Sequence, residues 1–103
     1  MMDMTRVRRE GLRWHLMVAL HKSRPYTCSE KLLLDVARSI YPDVSPLELR
    51  QELDYLADRR MAELAKQPSG TWFADLTALG VDIVEYTVEC RPGIARPEKY
   101  WEA

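Results

Sequence analysis

Four arginines lie close together near the start of the chain. They are Arg6, Arg8, Arg9 and Arg13. A guanidinium group holds several N–H donors in a fixed fork that fits phosphate oxygens, so this cluster predicts contacts to a nucleic-acid backbone. Two other interpretations stay open, a solvated helix start and a contact to an acidic protein surface.

The overall charge gives no general attraction to nucleic acid. Fifteen Lys and Arg stand against 16 Asp and Glu, so the formal net charge is -1 at pH 7. Any affinity for DNA must therefore come from local patches. Lys22, Arg24 and Lys31 add to the basic surface only if the fold brings them near the four arginines.

No residue pattern indicates catalysis or a metal site. His15 and His21 are six positions apart on a predicted helix, so they lie on different faces and cannot chelate as an i, i+4 pair would. Cys28 and Cys90 lack metal-type spacing, and we expect two free thiols in a reducing cytoplasm. We expect a protein that is not an enzyme, needs no cofactor, has no signal peptide and does not cross a membrane.

Apolar residues at helical spacing predict two helices in the first part of the chain. Helix 1 spans residues 5–22 and ends because Pro25 disfavours helical geometry in the residue before it. Helix 2 begins at a predicted capping box, in which the Thr27 hydroxyl accepts from the Glu30 amide. It ends before Pro42, which cannot continue a helix.

Helix 3 has the clearest start signal, a Ser45 N-cap followed by Pro46 at the first helical position. It is predicted to run to about Arg60 and to bury one stripe of leucines, at Leu49, Leu53 and Leu56. Only a few turn residues separate helix 3 from helix 2. The pair is therefore predicted to form a helix-turn-helix.

The pattern then changes to two short strands, residues 61–66 and 71–76, around a loop that contains Pro and Gly. This arrangement predicts a β-hairpin, the wing. Simple alternation puts three residues of each strand on a shared face. They are Ala62, Leu64 and Lys66 on the first strand and Trp72, Ala74 and Leu76 on the second.

Thr77 is the predicted cap of a last helix that runs from Ala78 to about Thr87. Pro and Gly residues make the remainder, residues 88–103, an irregular tail. The chain is thus predicted to be one α+β, mostly helical domain over residues 1–87, a winged helix-turn-helix followed by that tail.

Several segments resemble a family of small winged-helix proteins from Mu-like phages and prophages. They are residues 25–26, 41–48, 53–56 and 93–97, with Tyr100 and Trp101, and they span nearly the whole chain. Residues 76–80 also resemble the wing-to-helix junction of winged-helix regulators. Such proteins are usually labelled transcriptional regulators on fold grounds, so the resemblance implies the fold more strongly than the function. It implies no catalytic residues.

If helix 3 lay in a DNA major groove, the residues on its outward face would determine which bases it could recognise. That face carries Leu47, Gln51, Asp54, Tyr55 and Asp58, with no Lys or Arg at its centre. Gln51 suits adenine, but phosphates repel the two acids. The candidate DNA contacts are the four arginines of helix 1 together with Arg50, Gln51, Tyr55 and Lys66.

Apolar and aromatic groups in the terminal elements predict a partner surface, and we expect it to form a homodimer. They are Trp14, Ile83, Tyr86, Ile94, Tyr100 and Trp101. The alternative is a monomer whose tail folds back over helix 1.

Two functions from different classes remain open. Fold and resemblance favour a DNA-binding regulator that binds mainly through phosphate contacts. The acidic, tyrosine-bearing face of helix 3 and the apolar tail favour a module that binds an unidentified protein partner without sequence-specific DNA binding.

Overall fold

A computed structural model describes residues 3–99 of the chain. Within this range the chain is about half helical and forms four helices and one small antiparallel sheet of three strands, which confirms the α+β class. The elements in chain order are α1 (Met4–Ser23), β1 (Cys28–Ser29), α2 (Glu30–Ile40), α3 (Pro46–Asp58), β2 (Ala62–Lys66), β3 (Trp72–Leu76) and α4 (Ala78–Val84).

Side-chain caps start the helices. The Ser45 hydroxyl accepts from the Glu48 amide at 3.0 Å, with Pro46 at the first position of α3. The Thr77 hydroxyl accepts from the Gly80 amide at 3.1 Å. Both caps confirm the predictions, and each satisfies a backbone donor that has no partner within its own helix.

The predicted cap of α2 is wrong. Ser29, not Thr27, accepts from the Leu32 amide, because residues 28 and 29 pair with β3 as a strand that the sequence pattern did not reveal. The Thr27 hydroxyl donates instead to Asp75 of β3 at 2.9 Å.

The last helix is shorter than predicted and ends at Val84 rather than near Thr87. Tyr86 adopts a left-handed conformation with φ +62°, so the helix cannot continue through it. The Thr87 amide then donates to the Asp82 carbonyl, which closes the end of α4.

The sheet has the strand order β1-β3-β2, and the predicted faces of the hairpin are confirmed. All three predicted residues of β2 pair directly with the three of β3, and paired residues share a face. The pairs are Ala62 with Leu76, Leu64 with Ala74, and Lys66 with Trp72. Gly70 provides the positive φ that the loop requires.

The core lies between the four helices and the sheet. The predicted leucine stripe of α3 is buried, with Leu49, Leu53 and Leu56 at most 1% exposed. Burial of a leucine side chain stabilises a fold by about 1.5 to 3 kcal/mol, so this stripe fixes which side of α3 faces solvent. No helix in the described part of the chain is long and apolar enough to span a membrane.

The irregular tail folds back onto the same core. Ile94 is only 8% exposed, and the Ala95 amide donates to the Glu10 carbonyl of α1 at 3.1 Å. The Arg96 guanidinium donates to the carbonyls of Ile83 and Val88, which fastens the tail to α4. The tail is therefore structurally part of the domain up to residue 99.

Candidate nucleic-acid interface

The basic start of α1 faces the acidic side of α3. Arg8 binds the Glu48 carboxylate through two hydrogen bonds of 2.9 and 3.0 Å, and it also pairs with Asp43 at 2.9 Å. These hydrogen bonds raise the pKa of Arg8 and lower that of Asp43. Arg8 thus links α1 to the start of α3 and has little capacity left for a phosphate.

Arg13 makes the most buried ion pair of this contact. Its Nε donates to Glu52 Oε1 at 2.7 Å, and the two side chains are only 11% and 4% exposed. Arg13 also donates to the Gly93 carbonyl at 3.0 Å, and its guanidinium carbon lies 3.4 Å from the Tyr55 ring centroid. One cation therefore holds α1, α3 and the tail together.

Arg50 and Lys66, two of the predicted DNA contacts, lie at the hairpin and already have carboxylate partners. Arg50 binds Glu30 through hydrogen bonds of 2.7 and 2.6 Å, which lower the pKa of Glu30, and it donates to the Gly70 carbonyl of the loop. Lys66 lies 3.3 Å from Asp54. The hairpin is thereby fixed beside α3.

The outward face of α3 is as poor in cations as the sequence predicted. Leu47 is 67% exposed, and Gln51 and Asp58 are also exposed. Asp54 has Lys66 as its counter-ion, whereas Asp58 has none among residues 3–99. A phosphate approaching the centre of this face meets one uncompensated negative charge.

Beside this face lies a cleft of about 490 Å³, which we call the arginine cleft. Five arginines line it, from α1, the end of α3 and the tail: Arg6, Arg9, Arg13, Arg59 and Arg91. Among residues 3–99, the one carboxylate in its lining is Glu10, and Arg6 binds it at 2.8 Å. The cleft therefore has an excess of positive charge.

The ring of Tyr55 lies between two of these arginines, Arg13 and Arg59. The guanidinium carbons of Arg13 and Arg59 lie 3.4 and 3.7 Å from its ring centroid, so close that they must occupy opposite ring faces. Such stacking stabilises a cation through the ring quadrupole. Arg13 already donates from Nε to Glu52 and from Nη1 to the Gly93 carbonyl. The guanidinium N–H donors of Arg59, by contrast, have no hydrogen-bond partner among the described residues.

Three cations of the cleft lack a carboxylate partner within the described residues. Arg9 and Arg59 have no side-chain hydrogen bond or ion pair there, and Arg91 donates only to the Arg59 carbonyl, at 3.1 Å. The structure thus brings together Arg6, Arg9, Arg13 and Tyr55 of the predicted set, and adds Arg59 and Arg91. The spacing of Arg59, four residues after Tyr55, was a usable signal, whereas nothing in the tail's sequence pointed to Arg91.

The prediction of a partner surface from Ile83 and Ile94 is wrong. Ile83 is fully buried and Ile94 nearly so, because both belong to the hydrophobic core of the single chain. Trp14 and Tyr86 pack edge to face, with ring centroids 6.3 Å apart, in the same region. The other two residues of that set, Tyr100 and Trp101, lie outside the described residues.

Cys28 and Cys90 are free thiols, as predicted, and burial raises the pKa of both. Within residues 3–99, no cluster of three His, Cys, Asp or Glu could hold a metal ion. Comparisons with family models, with curated proteins and with solved structures gave no match, so the resemblance to the phage family stays a prediction.

Proposed function

We propose that the protein is a winged-helix DNA-binding regulator and that its arginine cleft binds the phosphate backbone of the DNA. In this proposal α2 and α3 are the helix-turn-helix, α3 enters the major groove, and the β2–β3 hairpin is the wing. The element order and the position of the hairpin beside α3 support this interpretation. The free thiols suit the reducing cytoplasm in which such a regulator would act.

The observation that carries the proposal is the position of the arginine cleft next to the outward face of α3. Gln51 and Tyr55 are one helical turn apart, so the cleft borders the face that would enter the groove. Asp54, on the other side of that face, contacts Lys66 of the hairpin. The face of α3 therefore lies between two cation-bearing walls, as the phosphates on either side of a groove require.

Binding is expected to be backbone-directed and weakly sequence-specific. Only Arg9, Arg59 and Arg91 are cleft cations without a carboxylate partner among the described residues, whereas Asp58 opposes close approach. If three cations each neutralise one phosphate, a plot of log K against log salt should have a slope of about -3. Replacing Asp54 and Asp58 by Asn should leave binding equal or tighter.

The test is a fluorescence-anisotropy titration of a short random-sequence duplex at several salt concentrations. Arg9→Ala, Arg59→Ala and Arg91→Ala should each weaken binding to all sequences alike and reduce the slope by about 1. Arg24→Ala is the matched control, because it removes an exposed cation at the far end of α1. Cleft variants that bind DNA as tightly as this control would refute the proposal.

A protein-interaction role is the second candidate, and one observation favours it. Leu47 is 67% exposed beside a groove lined by apolar groups that include Leu34 and Pro46. Leu47→Gln separates the two roles. It should leave DNA affinity unchanged if this groove serves a protein partner, and should alter it if Leu47 contacts bases in the major groove.

A further inference from the structure

We propose that the arginine cleft is a binding site for a phosphate monoester, the terminal phosphate of a nucleic-acid strand or of a mononucleotide. The inference names the ligand class of the cleft and rests on the proposed function, because the same cleft would contact DNA.

Charge favours a monoester over the internal phosphodiesters of a strand. Arg9, Arg59 and Arg91 line one cleft without a carboxylate partner among residues 3–99. A phosphodiester carries a single negative charge, whereas a phosphate monoester carries about -1.5 to -2 at pH 7 and offers three strong acceptor oxygens. The monoester therefore balances more of the positive charge and uses more of the donors.

The origin of the cations also favours a ligand group that can accept from several donors. Its cations come from three separate parts of the chain: Arg9 from α1, Arg59 from the end of α3, and Arg91 from the tail. All three line the same cleft. The volume of the cleft, about 490 Å³, lies in the range of small-molecule sites.

Two of the three guanidinium groups, those of Arg59 and Arg91, are held in place before any ligand arrives. Arg59 is stacked on Tyr55 at 3.7 Å, and Arg91 is anchored to the Arg59 carbonyl. The tail approaches Tyr55 closely because residue 93 is glycine, with φ +93°, and a Cβ there would collide with the Tyr55 hydroxyl. Preorganised donors lose less entropy on binding, which raises affinity.

The only carboxylate that lines the cleft within the described part of the chain does not argue against an anionic ligand. Glu10 is bound by Arg6 at 2.8 Å in an i, i+4 pair on α1. Its charge is compensated within that pair, so the excess from the three arginines remains for the ligand.

The experiment compares four ligands by competition titration with the full chain: a covalently closed circular duplex, a linear duplex with 5′-hydroxyl ends, the same duplex with 5′-phosphates, and a nucleoside 5′-monophosphate. The phosphorylated duplex should bind tighter than the hydroxyl form by about tenfold or more, since one further charge-assisted hydrogen bond is worth at least that factor. The mononucleotide should compete, and the corresponding nucleoside without phosphate, added as a control compound beside the four ligands, should not.

Variants locate the effect. Arg59→Gln and Arg9→Gln should each abolish the preference for the 5′-phosphate, whereas Arg24→Gln should retain it. Arg9 serves as the second variant because its side chain has no hydrogen bond or ion pair among the described residues, so its replacement leaves the fold intact. Retention of the preference in both cleft variants would overturn the assignment.

The outcomes separate this inference from the proposed function. Equal affinity for the two linear duplexes, with no competition by the mononucleotide, overturns the monoester site, even if the circular duplex binds and the DNA proposal stands. Competition by the mononucleotide without binding of the circular duplex supports the site and overturns the DNA proposal. Failure of all four ligands to bind overturns both.

Discussion

The ion pair between Arg13 and Glu52 offers the sharpest test of how α1 is joined to α3. Replacing Glu52 by Leu removes the carboxylate and leaves the Arg13 cation only 11% exposed, with the Gly93 carbonyl and the Tyr55 ring as its remaining partners. Breaking a buried pair from one side destabilises a protein by about 3 to 5 kcal/mol. We expect about 3 kcal/mol here because Arg13 keeps those two contacts.

Urea denaturation of Glu52→Leu, Arg13→Leu and the double variant measures this effect. Each single change should lower the free energy of unfolding by about 3 kcal/mol, which corresponds to a fall in Tm of about 15 °C for a domain of this size. The double variant should be less destabilised than either single variant, because neither charge is then left buried alone.

The exposed pair of Arg6 and Glu10 provides the matched control. The Arg6 side chain is 69% exposed, so Glu10→Gln should change the unfolding free energy by less than about 1 kcal/mol. Single Arg13 or Glu52 variants that resemble this control, or a double variant whose loss equals the sum of the singles, would refute the reasoning.

Four further predictions concern the core, the tail and the hairpin. In a thermal or urea melt, Leu53→Ala should lower the free energy of unfolding by about 2 to 5 kcal/mol, because Leu53 is fully buried at the centre of the α3 stripe. A change within error would mean that the buried face of α3 is misassigned. Gly93→Ala should lower the free energy of unfolding by about 1 to 3 kcal/mol, because Gly93 has a positive φ and a Cβ there would collide with Tyr55. Gly70→Ala should lower it less, because a Cβ at Gly70 meets no atom within 4 Å. Truncation after Thr87 should lower the Tm of a monomer, because Ile94 and Arg96 dock on the same chain. If light scattering gives a dimeric mass for the full chain and a monomeric mass after truncation, the tail forms a homodimer interface instead. Stability should fall as the pH drops below about 5, because Arg50 lowers the pKa of Glu30 in the folded protein. The contribution of Glu30 to stability is therefore present above the ordinary carboxyl pKa and is lost as Glu30 protonates. In denaturant titrations between about pH 5 and pH 3, Glu30→Gln should show a smaller fall in stability than the unchanged protein.

Signals that act within a few residues made most of the fold predictable. The Ser45-Pro46 start, the Thr77 cap and the alternation in the hairpin each depend on neighbours in the chain, and all three are confirmed. Strand β1 was not predictable, because two residues carry no alternation and its pairing with β3 is a tertiary contact. The same pairing explains the wrong cap of α2, since it moves the helix start to Ser29.

The candidate site was only partly predictable, for the same reason. The sequence shows arginines on α1 and acids on α3 but not which of them meet. In the structure Glu48 and Glu52 are the counter-ions of Arg8 and Arg13, so half of the predicted arginine cluster is committed to the fold. Arg91 reaches the cleft only because the irregular tail folds back, which no local pattern encodes.

A net charge of -1 is compatible with the proposed phosphate site, because the net charge also counts ions that neutralise each other inside the fold. Exposed charges are screened beyond about 8 to 10 Å at physiological salt, so a ligand in the arginine cleft responds mainly to the groups that line it. There Arg6 compensates Glu10, while Arg9, Arg59 and Arg91 lack a carboxylate partner among the described residues. If the proposed site binds phosphate, its affinity should therefore depend on the arrangement of charges and not on their sum. The salt dependence of the cleft variants measures that arrangement directly.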